Sequence, residues 1–246
     1  WNSNLFYSKN ENKINELADG LDGFQFNGST QGGVSIRANV GGSIGDIYAR
    51  TDTGTVSVDG IPVASAQPDE LIGNAQPDAL VGWSNQLRYK DFSLNFLIDA
   101  RVGGYVFSQT SAGLDRDGVS KRSLQYRESG ILVDGTVADT NDMNTKSITA
   151  QEYWQAMADV SANYVYGQDN VRLRELSIGY QLPSMPKFGI ESGTIQLVGR
   201  NLFFFSKDAQ DIDPESMLGT TLGIQGISEN GMPTTKSVGL NLSLNF

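Results

Sequence analysis

Val238-Gly-Leu-Asn-Leu-Ser-Leu-Asn-Phe246 alternates apolar and polar residues without interruption. Val238, Leu240, Leu242, Leu244 and Phe246 fall on one face of an extended chain. Gly239, Asn241, Ser243 and Asn245 fall on the other. Period two is the signature of a strand. The apolar face suits hydrocarbon and the small polar face suits water.

The same alternation recurs upstream. Trp83, Asn85, Leu87 and Tyr89 share a face, Lys90-Asp91 turns the chain, and Phe92 to Val106 follows as one long strand. Its even positions are apolar (Phe92, Leu94, Phe96, Ile98), and its other face carries Ser93, Asn95, Asp99, Arg101 and Tyr105. Trp1 to Tyr7, Asn170 to Leu182, Thr194 to Phe205 and Thr234 to Phe246 are further strand candidates. In Asn170–Leu182 the apolar phase slips from Val171 and Leu173 to Leu176, Ile178 and Tyr180. The slip signals either a bulge near Arg174-Glu175 or a change of environment. Residues 183–193 hold Pro183-Ser-Met-Pro-Lys187, a short stiff link. Residues 49–79, with Thr53-Gly54, Asp59-Gly60 and three prolines, read as a long irregular excursion. A second excursion, 108–168, contains one helix candidate, Thr149 to Ser161, opened by a capping box between Thr149 and Glu152.

Short links at 90–91 and 183–193 thus alternate with long ones at 10–80, 108–168 and 206–233. Outer-membrane barrels have short periplasmic turns and long extracellular loops. Counting back from a periplasmic C-terminus, six strands place every long connection outside the cell and every short one inside. The expected fold is all-β, a transmembrane antiparallel β-barrel with long extracellular loops. A terminal strand ending in Phe is similar to the strand read by the barrel-assembly machinery, so Val238, Leu240, Leu242, Leu244 and Phe246 are expected to form the insertion signal.

Composition narrows the function. The chain has 246 residues, no cysteine, no histidine and a net charge of −10. Without Cys or His, the usual zinc and copper sites and every Ser-His or Cys-His nucleophile are excluded. The acidic balance argues against nucleic acid, which demands a basic face. No apolar run approaches the ~20 residues of a spanning helix. There is no signal peptide at Trp1, so the chain is expected to be a fragment or a processed product.

No catalytic constellation is present, and the chain is not expected to be an enzyme or to hold a cofactor. Asp211, Asp213 and Glu215 alternate in a way that could offer oxygens to Ca²⁺, but the spacing lacks the Gly and distal Glu of an EF-hand loop, and a solvated loop with Asp-capped turns is the plainer reading. Tyr153 and Trp154, with Tyr164 and Tyr166, form an aromatic cluster suited either to stacking on sugar or peptide or to packing a loop helix. Asp99, Arg101 and Tyr105 are expected on the wet inner face, where they too are substrate-contact candidates. Phe203 to Phe205 are expected in an outer aromatic girdle.

Several stretches in order resemble the C-terminal third of the SusC/RagA family of TonB-dependent outer-membrane transporters. They are Gly42-Ser-Ile-Gly45, Ile72-Gly-Asn-Ala-Gln-Pro77, Val171-Arg-Leu-Arg-Glu-Leu-Ser-Ile-Gly-Tyr-Gln-Leu-Pro183, Gly199-Arg-Asn-Leu-Phe203, Asp213-Pro-Glu215 and Met232-Pro-Thr-Thr235. Met232 departs from the family's aromatic before Pro. The resemblance implies that residues 1–246 are about the last six strands of a barrel of about 22 strands filled by a plug. Asp99, Arg101 and Tyr105 would then hydrogen-bond to that plug. It further implies import of glycan oligosaccharide or peptide, with a SusD-like surface lipoprotein as lid and TonB acting through a plug outside this chain. A passive porin is the first alternative. A structural or adhesive all-β surface protein is the second, but its sandwich would need polar outward faces, which 92–106 and 238–246 lack.

Overall fold

The structure, a computed structural model, describes all residues except 27–32, 210, 218, 220 and 222. Six long strands form its main sheet: β1 (Asn2–Ser8), β2 (Ala79–Tyr89), β3 (Phe92–Val102), β4 (Asn170–Leu182), β5 (Ser192–Lys207) and β6 (Ser237–Asn245). They pair in sequence order, each antiparallel to the next. The sheet is open, with β1 and β6 as its edges. Between β2 and β3 the chain reverses over Lys90-Asp91, and Lys90 takes the left-handed backbone (φ 52°) that so tight a turn demands.

Register turns the alternation of each strand into two continuous faces. Leu240 lies opposite Leu197, Leu197 opposite Ile178, Ile178 opposite Leu94, and Leu94 opposite Leu87. The next row joins Leu242, Ile195, Tyr180, Phe92 and Tyr89 in the same way. A one-residue slip anywhere would break these rows, so the apolar pattern itself specifies the register. Most of this face stands exposed among the described residues: Val238 is 70%, Leu240 69% and Leu242 56% exposed. Asn85 and Ser3, paired across β1 and β2, are polar positions on it; Asn85 is buried and accepts a hydrogen bond from the Trp1 indole Nε1 at 3.0 Å.

The phase slip in β4 is a bulge. Leu173 pairs with Ile98 and Glu175 with Leu97, leaving Arg174 as the extra residue. Leu173 and Leu176 can therefore both lie on the apolar face despite opposite parity. On β5 the strand answers with Asn201 in left-handed backbone, φ 52°.

All three long connections leave from one end of the sheet and fold together into a cap. Val34–Asn39 and Asp46–Ala49 form a hairpin flanked by Gly23–Gln25 and Glu70–Asn74. Tyr105–Ser108 pairs antiparallel with Val165–Gly167 and parallel with Ile227–Ser228. Two helices, α1 (Gln109–Arg116) and α2 (Ala150–Met157), complete it. The apolar core of the chain sits here, not under the sheet: Val34, Ile36, Ile47, Phe107, Tyr164 and Ile227 pack together, drawn from all three connections.

Three expectations are corrected. The excursion 49–79 is not irregular throughout; it contains the strands Asp52–Val56, Pro62–Ala64 and Glu70–Asn74. The strand from Phe92 stops at Val102, because Gly103 and Gly104 both take positive φ (72° and 87°) and turn the chain into the cap. Tyr105 therefore belongs to a cap strand and not to the polar face of the sheet. The helix opened by Thr149 ends at Met157. Its capping box is present: the Thr149 hydroxyl accepts from the Glu152 N–H, and the Glu152 carboxylate accepts from the Thr149 N–H at 2.8 Å.

Candidate functional site

Every charged side chain carried by the six strands alternates onto the polar face. There are six basic ones (Arg88, Arg101, Arg172, Arg174, Arg200, Lys207) against Asp99 and Glu175. In a chain of net charge −10, this makes the sheet basic and its connections strongly acidic. The two meet at the cap end of β4.

The bulge puts Arg172, Arg174 and Glu175 on that face together. The Arg174 guanidinium donates to Asp99 Oδ2 from Nε (2.8 Å) and Nη2 (2.5 Å), and from Nη1 to Asn201 Oδ1 (3.1 Å) and Glu215 Oε2 (3.0 Å). Its Nη2 also donates to Glu215 Oε1. Arg172, whose side chain is only 3% exposed, donates from Nη1 to Glu215 Oε2 at 2.7 Å and from Nη2 to Thr234 Oγ1 at 2.5 Å. Its guanidinium lies 4.5 Å from the centre of the Phe204 ring. So buried a cation demands a counter-charge, and Glu215 supplies it.

Asn201 reaches Arg174 because its left-handed backbone turns its amide inward; the same amide donates to Thr235 O at 3.3 Å. Gly199 leaves room on the opposite face, where the Leu202 side chain fills the space a Cβ would take. Asp213 accepts from the Thr234 N–H (2.8 Å) and hydroxyl (2.5 Å) and from the Glu215 N–H (3.0 Å). Burial alone would raise its pKa; these hydrogen bonds and the nearby Arg172 outweigh burial and hold it below the ordinary aspartate value.

The calcium reading of Asp211, Asp213 and Glu215 finds no shared centre. Glu215 faces two arginines, Asp213 caps a turn, and Asp211 borders a separate cleft with Lys121 and Arg122. Among the described residues, no three Asp, Glu, His or Cys gather as a metal set.

The substrate-contact candidates divide between two places. Asp99 holds Arg174, and Arg101 donates to Ala75 O at 2.8 Å, tying the sheet to the cap. Tyr105 packs over Gly73 on the cap and stays exposed. Tyr153 and Trp154 lie on α2, edge to face at 5.1 Å, with Tyr126 5.4 Å from Tyr153. Trp154 is largely buried and borders a cleft of about 640 Å³ with Arg116, Arg127 and Thr149. Sequence reading missed Asp115. It is fully buried and accepts from Arg122 Nε (2.5 Å), Ser120 Oγ (2.5 Å) and Tyr164 Oη (2.9 Å). Burial, and then Asp115, raises the Tyr164 pKa, so the phenol stays a donor. Ser120 and Arg122 lie near Asp115 along the chain, but no motif marks them as its partners, and Tyr164 comes from a distant segment. Arg122, Ser120 and Tyr164 are thus held together around the Asp115 carboxylate.

An all-β wall with opposite apolar and polar faces, capped at one end by its own connections, is the architecture of a barrel protein's side. Comparison with known proteins agrees. The chain is 26% identical over 251 residues to TonB-dependent receptor P3 of Formosa agariphila, covering 88% of this chain and 23% of the relative. Its fold matches the RagAB peptide importer in its open-open state at a TM-score of 0.63 and 17% identity, over 99% of this chain and 26% of that one. A second structure, the RagAB peptide transporter, matches at 0.62, again with 17% identity and the same coverage. No family model matches. The chain spans about a quarter of the length of these relatives. In sequence the chain is similar to a TonB-dependent receptor, and in fold to the RagAB structures. The relatives are named as a receptor, an importer and a transporter, which accords with a non-enzymatic role.

Proposed function

We propose that this chain forms part of the wall, and the external loops, of an outer-membrane importer that takes up a nutrient oligomer, either peptide or glycan oligosaccharide. The uncovered apolar face of the six-stranded sheet carries this reading. A soluble sandwich would bury that face against a second sheet, whereas a barrel turns it to lipid. Phe203 and Phe205 stand exposed near the cap end, and Tyr89, Phe92 and Phe246 near the short turns. From Ile195, in the row of Tyr89 and Phe92, up to Phe203 the strand rises roughly 25 Å at about 3.3 Å per residue. That is about the height of the apolar band between the aromatic girdles of such barrels.

In this arrangement the cap faces the outside and the polar face lines the passage. The free edges of β1 and β6 pair with other strands of a larger barrel, of about 22 strands in the plugged transporter class. A SusD-like lipoprotein closes over the cap, TonB acts on a plug, and assembly machinery reads the strand at Val238–Phe246. The passive-porin alternative differs in one readout. In cells carrying the complete receptor, uptake of a labelled peptide pool and of a labelled oligosaccharide pool is compared with and without TonB. One pool is expected to enter, and its entry to stop when TonB is depleted. Entry that continues unchanged without TonB overturns the importer in favour of a porin.

A further inference from the structure

The connection 208–236 is fastened in two different ways. Ile227, fully buried, pairs with Phe107 inside the cap core. Asp213-Pro-Glu215 is instead fastened to the wall. Arg172 and Arg174 grip the Glu215 carboxylate, and the buried Gln168 donates from Nε2 to the Pro214 carbonyl at 3.2 Å. Thr234, just before β6, is tied to Arg172 and to Asp213. The cap end is thus held by apolar burial and the wall end by charge and hydrogen bonds.

The two fastenings have different strengths against a local change. Apolar burial is spread over many contacts. The charged joint converges on one carboxylate: Arg174 has a second counter-charge in Asp99, whereas among the described residues the buried Arg172 forms its ion pair with Glu215. Arg172, Arg174 and Asp99 lie on the polar face, so the fastened segment lies over that face at the cap end. We propose that Asp213–Glu215 is a charged latch, and that opening it releases the 208–236 connection from the wall while the cap core stays folded. Given the importer reading, the latch gates the outer mouth of the passage beside β4 and β5.

Amide hydrogen exchange of the complete receptor in detergent tests this. Glu215→Gln is expected to speed exchange of 213–216 and 234–236 at least tenfold, leaving the 34–49 hairpin unchanged. Arg174→Gln, which keeps the Arg172–Glu215 pair, is expected to give the same pattern with a smaller increase. The double variant is expected to exceed Glu215→Gln by less than the Arg174→Gln effect alone, because both act on one joint. Unchanged exchange at 213–216 in Glu215→Gln overturns the latch. So does equal acceleration of 34–49, which would make the joint a general prop of the cap. Exchange is read without cargo, so failure of the import assay and failure of the latch are separate results.

Discussion

Leu240→Arg is expected to cost about 2–4 kcal/mol of stability in a bilayer, the penalty for a cation near the midplane of a barrel's lipid face. Asn241→Arg, the next residue on β6, is expected to cost under about 1 kcal/mol, because its side chain points to the polar face. The contrast is informative because Leu240 is 69% exposed in the chain itself. Were that face in water, an exposed Leu→Arg change would fall within about 0.5 kcal/mol of neutral. Leu240 is flanked across the strands by Leu197, and beyond it by Ile178 and Leu94, so the arginine has no anionic neighbour on its row. Denaturant unfolding of the receptor in vesicles reads both variants. Equal costs at 240 and 241 would remove the two-faced wall from consideration.

Phe107→Ala is expected to cost about 3–5 kcal/mol, the range for emptying a buried aromatic site. Phe107 is fully buried at the point where the cap's connections meet. Val165 lies beside it on one strand and Ile227 on the other. The loss falls on the cap, because the sheet's own pairing does not depend on that core. Limited proteolysis is therefore expected to cut within 34–75, 105–165 and 223–236 while the strand signal in circular dichroism persists. Phe107→Leu, which keeps most of the volume, is expected to cost much less. Simultaneous loss of cap and strands would show that the two fold as one unit; an unchanged cap would show that its core lies elsewhere.

The strands of the wall were legible because each repeats a two-residue period long enough to outvote local noise. β4 matched its expected span, Asn170–Leu182, and of the two readings of its phase slip the bulge is the one observed. Tyr105 was misplaced for an instructive reason. Apolar alternation runs on past Gly103-Gly104, but alternation reports side-chain type and is blind to the positive φ that bends the chain there. The cap was hidden because its strands are short, because Val34–Asn39 and Asp46–Ala49 are mostly buried instead of alternating, and because some pairings, such as Phe107 with Ile227, join residues far apart in sequence. The latch was readable only in pieces. Arg172 and Arg174 stand out on one strand and Asp213-Pro-Glu215 in one loop, yet nothing in the spacing says that the first holds the second.

The wall's orientation toward lipid is tested most directly by quenching. The chain has no cysteine, so Leu240→Cys, Asn241→Cys, Leu242→Cys and Ser243→Cys can each carry one fluorophore in the complete receptor, its other cysteines removed, in vesicles. Brominated lipid is predicted to quench the label at 240 and 242, and aqueous iodide the label at 241 and 243. Iodide quenching at all four positions, or the inverse alternation, would contradict a lipid-facing wall.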